Sequence, residues 1–489
     1  MTIPRPAAVI VLAAGEGTRM RSAVPKVLHE IGGRSLLGHV LTTARTLAPE
    51  KVVVVVRHGR DQVAAHVEHL DPEALLVDQD EVPGTGRAVQ VAMDALGASA
   101  AGAVVVLSGD VPLLDAGTVA ELLVAHHADG NQVTVLTTQV PDPAGYGRIV
   151  RDPGTGEVTG IVEERDADEA QRAIDEINSG VYVFDAAALR DALGRLGRDN
   201  AQGEMYLTDV LALARVEGGH VRALRTDDRV SVEGINDRVQ LAALGAELNR
   251  RVLERWMRAG VTVVDPATTW VDVDVDLAPD VTLLPGTQIF GASSVAAGAT
   301  VGPDTTVRNV EIGQGATVVR THGSDSVIGP GASVGPFAYL RPGTVLGEKG
   351  KIGTFVETKN ATIGRGSKVP HLSYIGDAEI GEQANVGAAS VTVNYDGVTK
   401  HRTVIGSHAR TGSDNMFVAP VVVGDGAYTG AGAVIRHDVP PGALALSENS
   451  QRTIDGWVIS RRPGSAAAQA AQAALDAQQS SEEPSREQA

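Results

Sequence analysis

The chain's 489 residues include 60 Asp and Glu against 42 Lys and Arg, a formal charge of −18; this argues against nucleic acid or an anionic membrane as partner, since affinity for either rests on neutralising phosphates with Lys and Arg. There is no cysteine, which excludes disulfides, thiolate nucleophiles and cysteine metal sites. The longest apolar runs, such as Ala7 to Ala14 and Val52 to Val56, fall far short of the roughly 18 residues a membrane helix needs, and no basic leader with a cleavage site precedes them, which points to a cytoplasmic location without membrane insertion.

The length suits two large domains or three smaller ones. From residue 7 to about 230, short β-branched runs alternate with amphipathic segments: Ala8 to Leu12, Val52 to Val56, Ala103 to Leu107, Val133 to Thr137 and Val181 to Phe184. This alternation predicts an α/β domain with a Rossmann-like, largely parallel sheet covered by helices. After Asn236, Leu241, Leu244, Leu248, Val252 and Trp256 recur at spacings of three and four, which predicts a connecting helix with one apolar stripe.

Beyond about residue 265 the period changes. Leu283, Ile289, Val295, Val301 and Val307 are spaced by six, and Ile328, Val334, Leu340, Leu346 and Ile352 resume the step after an interruption. A period of six is the hexapeptide signature of a parallel β-helix, in which the aliphatic residue of each unit points into a triangular prism. Aromatic side chains are too large for that interior, which accounts for their 3% share beside 56 glycines. At Thr392 to Lys400, TVNYDGVTK, the frame slips, so a loop must leave the prism there, and loops on solenoids usually carry binding function. Residues 463–489, rich in Ala, Gln, Ser and Glu, are expected to be a disordered tail.

The stretch LAAGEGTRM places Gly15 and Gly17 directly after the first predicted strand. The third glycine of a dinucleotide fingerprint is missing, because Met20 stands there, and there is no Gly-Lys-Ser/Thr of a P-loop. Two cations come after the turn in their place, Arg19 and then Lys26 in VPKVL. Exposed N–H groups with two cations suit a triphosphate under in-line attack; a plain strand-to-helix turn with surface basic residues is the bland alternative. In VVVLSGDVPLL, Ser108, Gly109 and Asp110 come just past a second buried run. A carboxylate at that edge is placed to hold Mg²⁺ on a nucleotide, or simply to cap the next helix.

The set LAAGEGTRM, Lys26, GTGRA (84–88), LSGD and GYGRI resembles the sugar-nucleotide pyrophosphorylases. With EINSGVY, QGEMYLTD, RPGT, KVPHLSYIGD, VNYDG and TGSD coming after it in order, residues 7 to 462 resemble the bifunctional N-acetylglucosamine-1-phosphate uridyltransferases and glucosamine-1-phosphate acetyltransferases. The resemblance implies a uridyltransferase domain over 1–235, a linker helix over 236–262 and a left-handed β-helix acetyltransferase domain over 263–462. Leu12, Ala13, Ala14, Gly15, Arg19 and Lys26 would then bind UTP with Ser108 and Gly109, while Gln79, Gly84 and Thr85 read the uracil. Asp110 and Asn236 would hold Mg²⁺, and Gly147, Glu163 and Asn178 the hexosamine. No side-chain nucleophile is needed, because the sugar phosphate itself attacks the α-phosphorus of UTP and pyrophosphate leaves.

In KVPHLSYIGD, His371 lies within a hexapeptide unit, where a lone histidine is commonly a structural residue. Arg341, Lys359, Tyr374 and Asn385 fall on neighbouring coils and could converge on a phosphosugar beside it. An imidazole can take the proton of a sugar ammonium as its nitrogen attacks a thioester. The resemblance gives His371 that role, with Glu357 orienting it, and implicates Ala388, Asn394, Tyr395, Ser413 and Ala431 in binding acetyl-CoA. It also implies a homotrimer acting on UTP, glucosamine 1-phosphate, N-acetylglucosamine 1-phosphate and acetyl-CoA, feeding cell-wall precursor synthesis; Trp457 and Arg461, beyond the last coil, could reach a neighbouring subunit or simply pack as an exposed terminus. The rival reading, a single-activity pyrophosphorylase with an oligomerising prism, leaves His371, Arg341 and Lys359 without a task.

Overall fold

The computed structural model describes residues 4–98, 100–447 and 451–482. Seven strands form the central sheet of the first half: β1 (Ala8–Ala13), β2 (Lys51–Val56), β3 (Leu75–Asp78), β4 (Ala103–Ser108), β5 (Val133–Gln139), β6 (Glu176–Asp185) and β7 (Val221–Arg225), in the order β7-β5-β6-β4-β1-β2-β3. β1, β2 and β4 are almost wholly buried Val, Ile, Leu and Ala runs, as strands covered on both faces must be. The expected parallel pairing holds for β1 with β2 and β4, β2 with β3, and β5 with β7. β6 departs from it and runs antiparallel to both neighbours. A short antiparallel arm, Arg148–Arg151 with Val158–Val162, pairs onto β6 at Ile177. The register of β6 against β5 shifts between Asn178 and Tyr182; such a bulge re-aims the side chains around it.

The connecting helix spans Arg238–Arg258, and the Asp237 carboxylate caps it by accepting from the Val239 and Gln240 amides, both at 2.9 Å. Its stripe serves two cores. Leu244 packs with Ile31, Leu36, Leu113 and Ile235 of the first half, whereas Val252 and Leu253 join the apolar column of the second. Buried Asn249 acts as a strand surrogate: its amide donates to the Thr269 carbonyl at 2.8 Å and its oxygen accepts from the Val271 amide at 3.0 Å.

From Thr262 onward, two- to eight-residue strands pair in parallel, with steps of 18 residues from Trp270 to Gln288 to Thr306 and of 17 from Glu357 to Tyr374. This is a parallel β-helix. The residues spaced by six, Leu283 to Val307 and Ile328 to Ile352, are all at most 2% exposed, so they are the prism's interior; contrary to the expectation that no aromatic ring fits there, Phe417 is fully buried in the same column. The frame slip is also located: after Val391–Val393 the chain leaves the coil and re-enters at Thr403–Ile405.

The tail differs from expectation. Residues Ala466–Glu482 form a helix, because alanine and glutamine are strong helix formers and outweigh the low complexity that suggests disorder. The helix packs beside Trp457–Arg461; residues 483–489 lie outside the described part. No helix among the described residues is long and apolar enough to cross a membrane.

Candidate functional site

At the carboxyl ends of β1, β3 and β4 lies a cavity of about 560 Å³, the position where open α/β sheets bind ligands. Leu12, Ala13, Ala14, Gly15, Lys26, Gln79, Gly84, Thr85, Ser108 and Asp110 all line it. Lys26 is held there by a close approach. A Cβ on Gly17, whose φ is +66°, would lie 2.6 Å from the Lys26 Cβ, so only glycine fits. The Lys26 ammonium donates to Asp110 and, at 3.3 Å, to Asn236 Oδ1. Asn236 is brought to this point by the Ile235 amide, which donates to the Asp110 carbonyl at 2.9 Å. Gly109 ties β4 to β1 through its amide on the Leu12 carbonyl at 2.9 Å. Arg19 is exposed on the turn Thr18–Met20 and does not line the cavity.

On the far wall, Gln79 donates to the Val82 and Gly84 carbonyls at 3.0 and 3.2 Å. A Cβ on Gly84, at φ +117°, would meet the Met205 carbonyl oxygen at 2.3 Å. The QGEMYLTD segment thus lies directly on the turn of Gly84 and Thr85, and Thr85 Oγ1 accepts from the Leu207 amide at 3.2 Å. Gly147, Glu163 and Asn178 meet separately: a Cβ on Gly147 would lie 3.4 Å from Glu163 Oε2 and 3.5 Å from Asn178 Cβ. Burial pushes the Glu163 carboxyl up, against a smaller opposing effect of the Thr208 hydroxyl that donates to it at 3.2 Å. Arg57, His58 and Glu204 also line the cavity, and no sequence motif marked them as ligands. Of these Glu204 had a signal, being part of the QGEMYLTD stretch. His58 donates to the Ala14 carbonyl at 2.9 Å and so braces the glycine turn.

The cavity's donor set suits a hard divalent cation. Among the described residues no group of three or more His, Asp or Glu could hold a metal, but Mg²⁺ needs only one or two protein oxygens beside water and substrate phosphates. The Asp110 carboxylate and the Asn236 amide oxygen already share one cation, the Lys26 ammonium.

On the prism, Tyr339, Glu357, Tyr374, Val391 and Met416 stack in register on one face. Arg341 pairs with Glu357 at 3.0 Å, and Lys359 reaches Asp377 at 3.4 Å. Burial opposes the charge of Asp377, but hydrogen bonds from Asn360 and Asn394, with the Lys359 ammonium, outweigh it and hold that carboxyl below its usual range. The loop folds back through Asp396, which accepts from the Val398 and Thr399 amides at 2.8 and 2.6 Å. This turn brings Lys400 to Lys359, whose ammonium, by hydrogen bonding and then by charge, pushes Lys400 below the usual lysine range. Lys400 is a cation of this cluster that the loop sequence alone does not single out.

His371 stands exposed at the end of the strand Lys368–His371, and the carboxylate of Glu357 is engaged by Arg341 rather than by it. Asn385 lies on a different ladder, between Lys368 and Arg410. Ala388, Ser413 and Ala431 occupy one edge of successive coils, for Asp414 donates to the Ala388 carbonyl at 2.7 Å and Gly432 to the Ser413 carbonyl at 2.9 Å. Asn394 and Tyr395 start the loop, the first buried and the second exposed. Trp457 and Arg461 are both exposed.

A nucleotide-sized cavity at the switch of a mixed α/β sheet, followed by a hexapeptide prism with its own cluster of cations, is the architecture of a nucleotidyltransferase domain joined to a hexapeptide-repeat domain. The model of the MobA-like NTP transferase domain matches residues 9–209. The chain is 66% identical over 473 residues to the bifunctional protein GlmU of Pseudarthrobacter chlorophenolicus, covering 96% of each. It is 64% identical over 471 residues to that of Kineococcus radiotolerans, again 96% of each, and 60% identical over 483 residues to that of Micrococcus luteus, 96% of this chain and 97% of the relative. The chain belongs to the GlmU family, and it is a bifunctional enzyme of UDP-N-acetylglucosamine synthesis, a uridyltransferase joined to an acetyltransferase. The single-activity alternative is not supported.

Proposed function

We propose that the two reactions divide at the connecting helix, with domain limits at 1–235, 236–262 and 263–462, and that acetyl transfer to glucosamine 1-phosphate precedes uridylyl transfer. In the first domain the glycine turn at Leu12–Gly15, Lys26, Ser108 and Gly109 hold the triphosphate, with Arg19 reaching it from the exposed turn. Gln79, Gly84 and Thr85 read the base. Gly147, Glu163 and Asn178 orient the hexosamine so that its phosphate faces the α-phosphorus in line. Asp110 and Asn236 hold Mg²⁺, which when bound neutralises charge on the phosphoryl oxygens. The observation that carries this reading is the convergence of Asp110 and Asn236, distant in sequence, on one cation at the cavity floor.

In the second domain His371 accepts the proton of the sugar ammonium as its nitrogen attacks the thioester carbonyl. Arg341, Lys359, Tyr374 and Asn385 bind the sugar phosphate, and Ala388, Asn394, Tyr395, Ser413 and Ala431 bind acetyl-CoA. Asn385 and Tyr374 lie on different ladders of one prism, which favours a site completed between copies in a homotrimer, with Trp457 and Arg461 contributed across the interface. The edge beside His371 carries a stacked, exposed pair, Phe337 and Phe355, with ring centroids 5.4 Å apart, and exposed Leu372; such a stripe suits packing against another copy. The enzyme works on small, diffusible cytoplasmic substrates. Incubation with glucosamine 1-phosphate, acetyl-CoA, UTP and Mg²⁺ must give UDP-N-acetylglucosamine and pyrophosphate, and each omission must stop the corresponding step. Formation of UDP-glucosamine in preference would overturn the order.

A further inference from the structure

The arm Arg148–Arg151/Val158–Val162 carries an ion pair that neither reaction uses. Arg148 is 1% exposed and is the largest fully buried side chain among the described residues. Its guanidinium donates to the Tyr146 carbonyl and, at 2.6 Å, to Glu164 Oε2, while Glu164 Oε2 also accepts from the Gly145 amide at 3.3 Å. Arg148 Nε is buried without a partner among the protein groups. Burying a guanidinium is costly, and an apolar side chain of similar volume often serves stability as well or better, so the pair is better explained by the geometry it imposes than by the stability it adds.

That geometry is specific. Arg148 follows Gly147 directly and Glu164 follows Glu163 directly. Arg148 and Val162 are also paired across the arm, and the Asn178 amide donates to the Gly147 carbonyl at 2.9 Å. The guanidinium–carboxylate bond and the Gly145 amide therefore fix how far the 145–148 turn stands from the 163–164 turn. Gly147 is closely packed, since an added Cβ there would sit 3.0 Å from Ile161 Cγ2. We propose that Arg148 and Glu164 are positioning residues of the uridyltransferase: the clamp, buried on its Arg148 side and partly exposed at Glu164, sets the spacing of Gly147 from Glu163 and thereby the fit of the hexosamine hydroxyls, without touching substrate. The inference rests on the assignment of Gly147, Glu163 and Asn178 to the sugar.

The test uses the full chain with three variants, Glu164→Gln, Arg148→Lys and, as a check on the subsite, Glu163→Ala. Steady-state uridylyl transfer is measured against N-acetylglucosamine 1-phosphate and UTP separately, with thermal melting and acetyl transfer alongside. Displacing a bound group by a fraction of an ångström is costly to a near-attack geometry, so Glu164→Gln should raise KM for the sugar phosphate about tenfold. KM for UTP and acetyl transfer should stay close to the parent's, while the melting temperature falls somewhat, because the buried guanidinium loses its counter-charge. Arg148→Lys, which keeps the charge and loses the fork, should raise the sugar KM in the same direction. A merely structural pair predicts lower melting and a smaller active fraction with both KM values unmoved, and that result overturns the proposal. An equal rise in both KM values overturns it as well. If Glu163→Ala raises the sugar KM and Glu164→Gln does not, the clamp alone fails; if Glu163→Ala leaves it unmoved, the subsite assignment fails and the clamp with it.

Discussion

The two halves face one task, holding an anionic sugar phosphate beside a second substrate, and they build for it in opposite ways. In the first half Lys26, Asp110 and Asn236 come from three loops far apart in sequence and meet within one chain, because parallel strands deliver successive loops to a common edge. In the prism Arg341, Glu357, Lys359, Tyr374 and Asp377 sit one coil apart on a flat face, because a solenoid places each residue above its repeat-mate. A sheet edge yields a concave pocket from a single copy; a flat face needs a loop or a neighbouring copy to enclose a ligand. The loop brings Asn394 onto Asp377 and Lys400 beside Lys359, and in the proposed site it supplies part of that wall.

The sharpest way to break this division is His371→Ala. Loss of a positioned base costs about 10²- to 10⁴-fold, and the loss should fall on acetyl transfer alone, with acetyl-CoA binding by calorimetry nearly unchanged. Raising the pH should recover part of the rate, because more of the sugar amine is then already neutral. A variant as stable as the parent that acetylates at more than about a tenth of its rate would remove His371 from the mechanism. The reciprocal change, Asp110→Asn, removes a hard anionic oxygen and should lower uridylyl transfer by about 10²- to 10³-fold, with acetyl transfer untouched. Equal loss of both activities in a folded protein would contradict two separate sites.

The same difference decides how much of each half is legible in the sequence. The six-residue period is fully legible, since Leu283 through Ile352 each answer to one rule about an interior. The strands buried on both faces, β1, β2 and β4, are legible as apolar runs. Edge strands β3 and β7 are not, because both are half-exposed and carry little pattern. The reversed direction of β6 is a tertiary choice that no local signal encodes. Among site residues, Gly15, Lys26 and Asp110 are marked by strand ends and glycines, whereas Arg57, His58 and the Arg148–Glu164 clamp come from elements whose meeting only the folded arrangement decides. Asn249 is invisible for a related reason: it interrupts an apolar stripe and acts through backbone partners 20 and 22 residues away.

The connecting helix allows a smaller and more local test. Leu253→Ala should cost about 2–5 kcal/mol, the usual range for truncating a buried leucine, and it should lower the melting transition of the prism, whose column Leu253 joins at 1% exposure. Leu244→Ala should act on the other transition, because Leu244 packs with Ile31, Leu36 and Leu113. Scanning calorimetry of both variants checks the assignment. If each substitution shifts both transitions equally, the helix fuses the halves into one cooperative unit.

The smallest effect concerns acid. Among the described residues the histidines held below the ordinary imidazole range are His29, His39, His66 and His126, and all lie before residue 235. His126 is the strongest case. It is 5% exposed, bonded to the Thr134 hydroxyl at 3.1 Å, and pushed down to about 4, by burial first and the His127 ring second, against a weaker opposite pull from Asp185. In the unfolded chain an imidazole takes its proton near pH ~6.5, so between there and about 4 the unfolded state binds more protons than the folded one. The stability is therefore fully present above ~6.5, falls progressively below it and is lost by about pH 4, and a difference of this size corresponds to on the order of 3 kcal/mol at most. Melting followed between about pH 7.5 and 5 should show the first domain's transition dropping faster than the prism's, and His126→Gln, which has no proton to gain, should flatten the difference by a degree or more. If the prism melts first on acidification, or the variant keeps the parent's slope, the buried imidazole is not what makes the two halves differ.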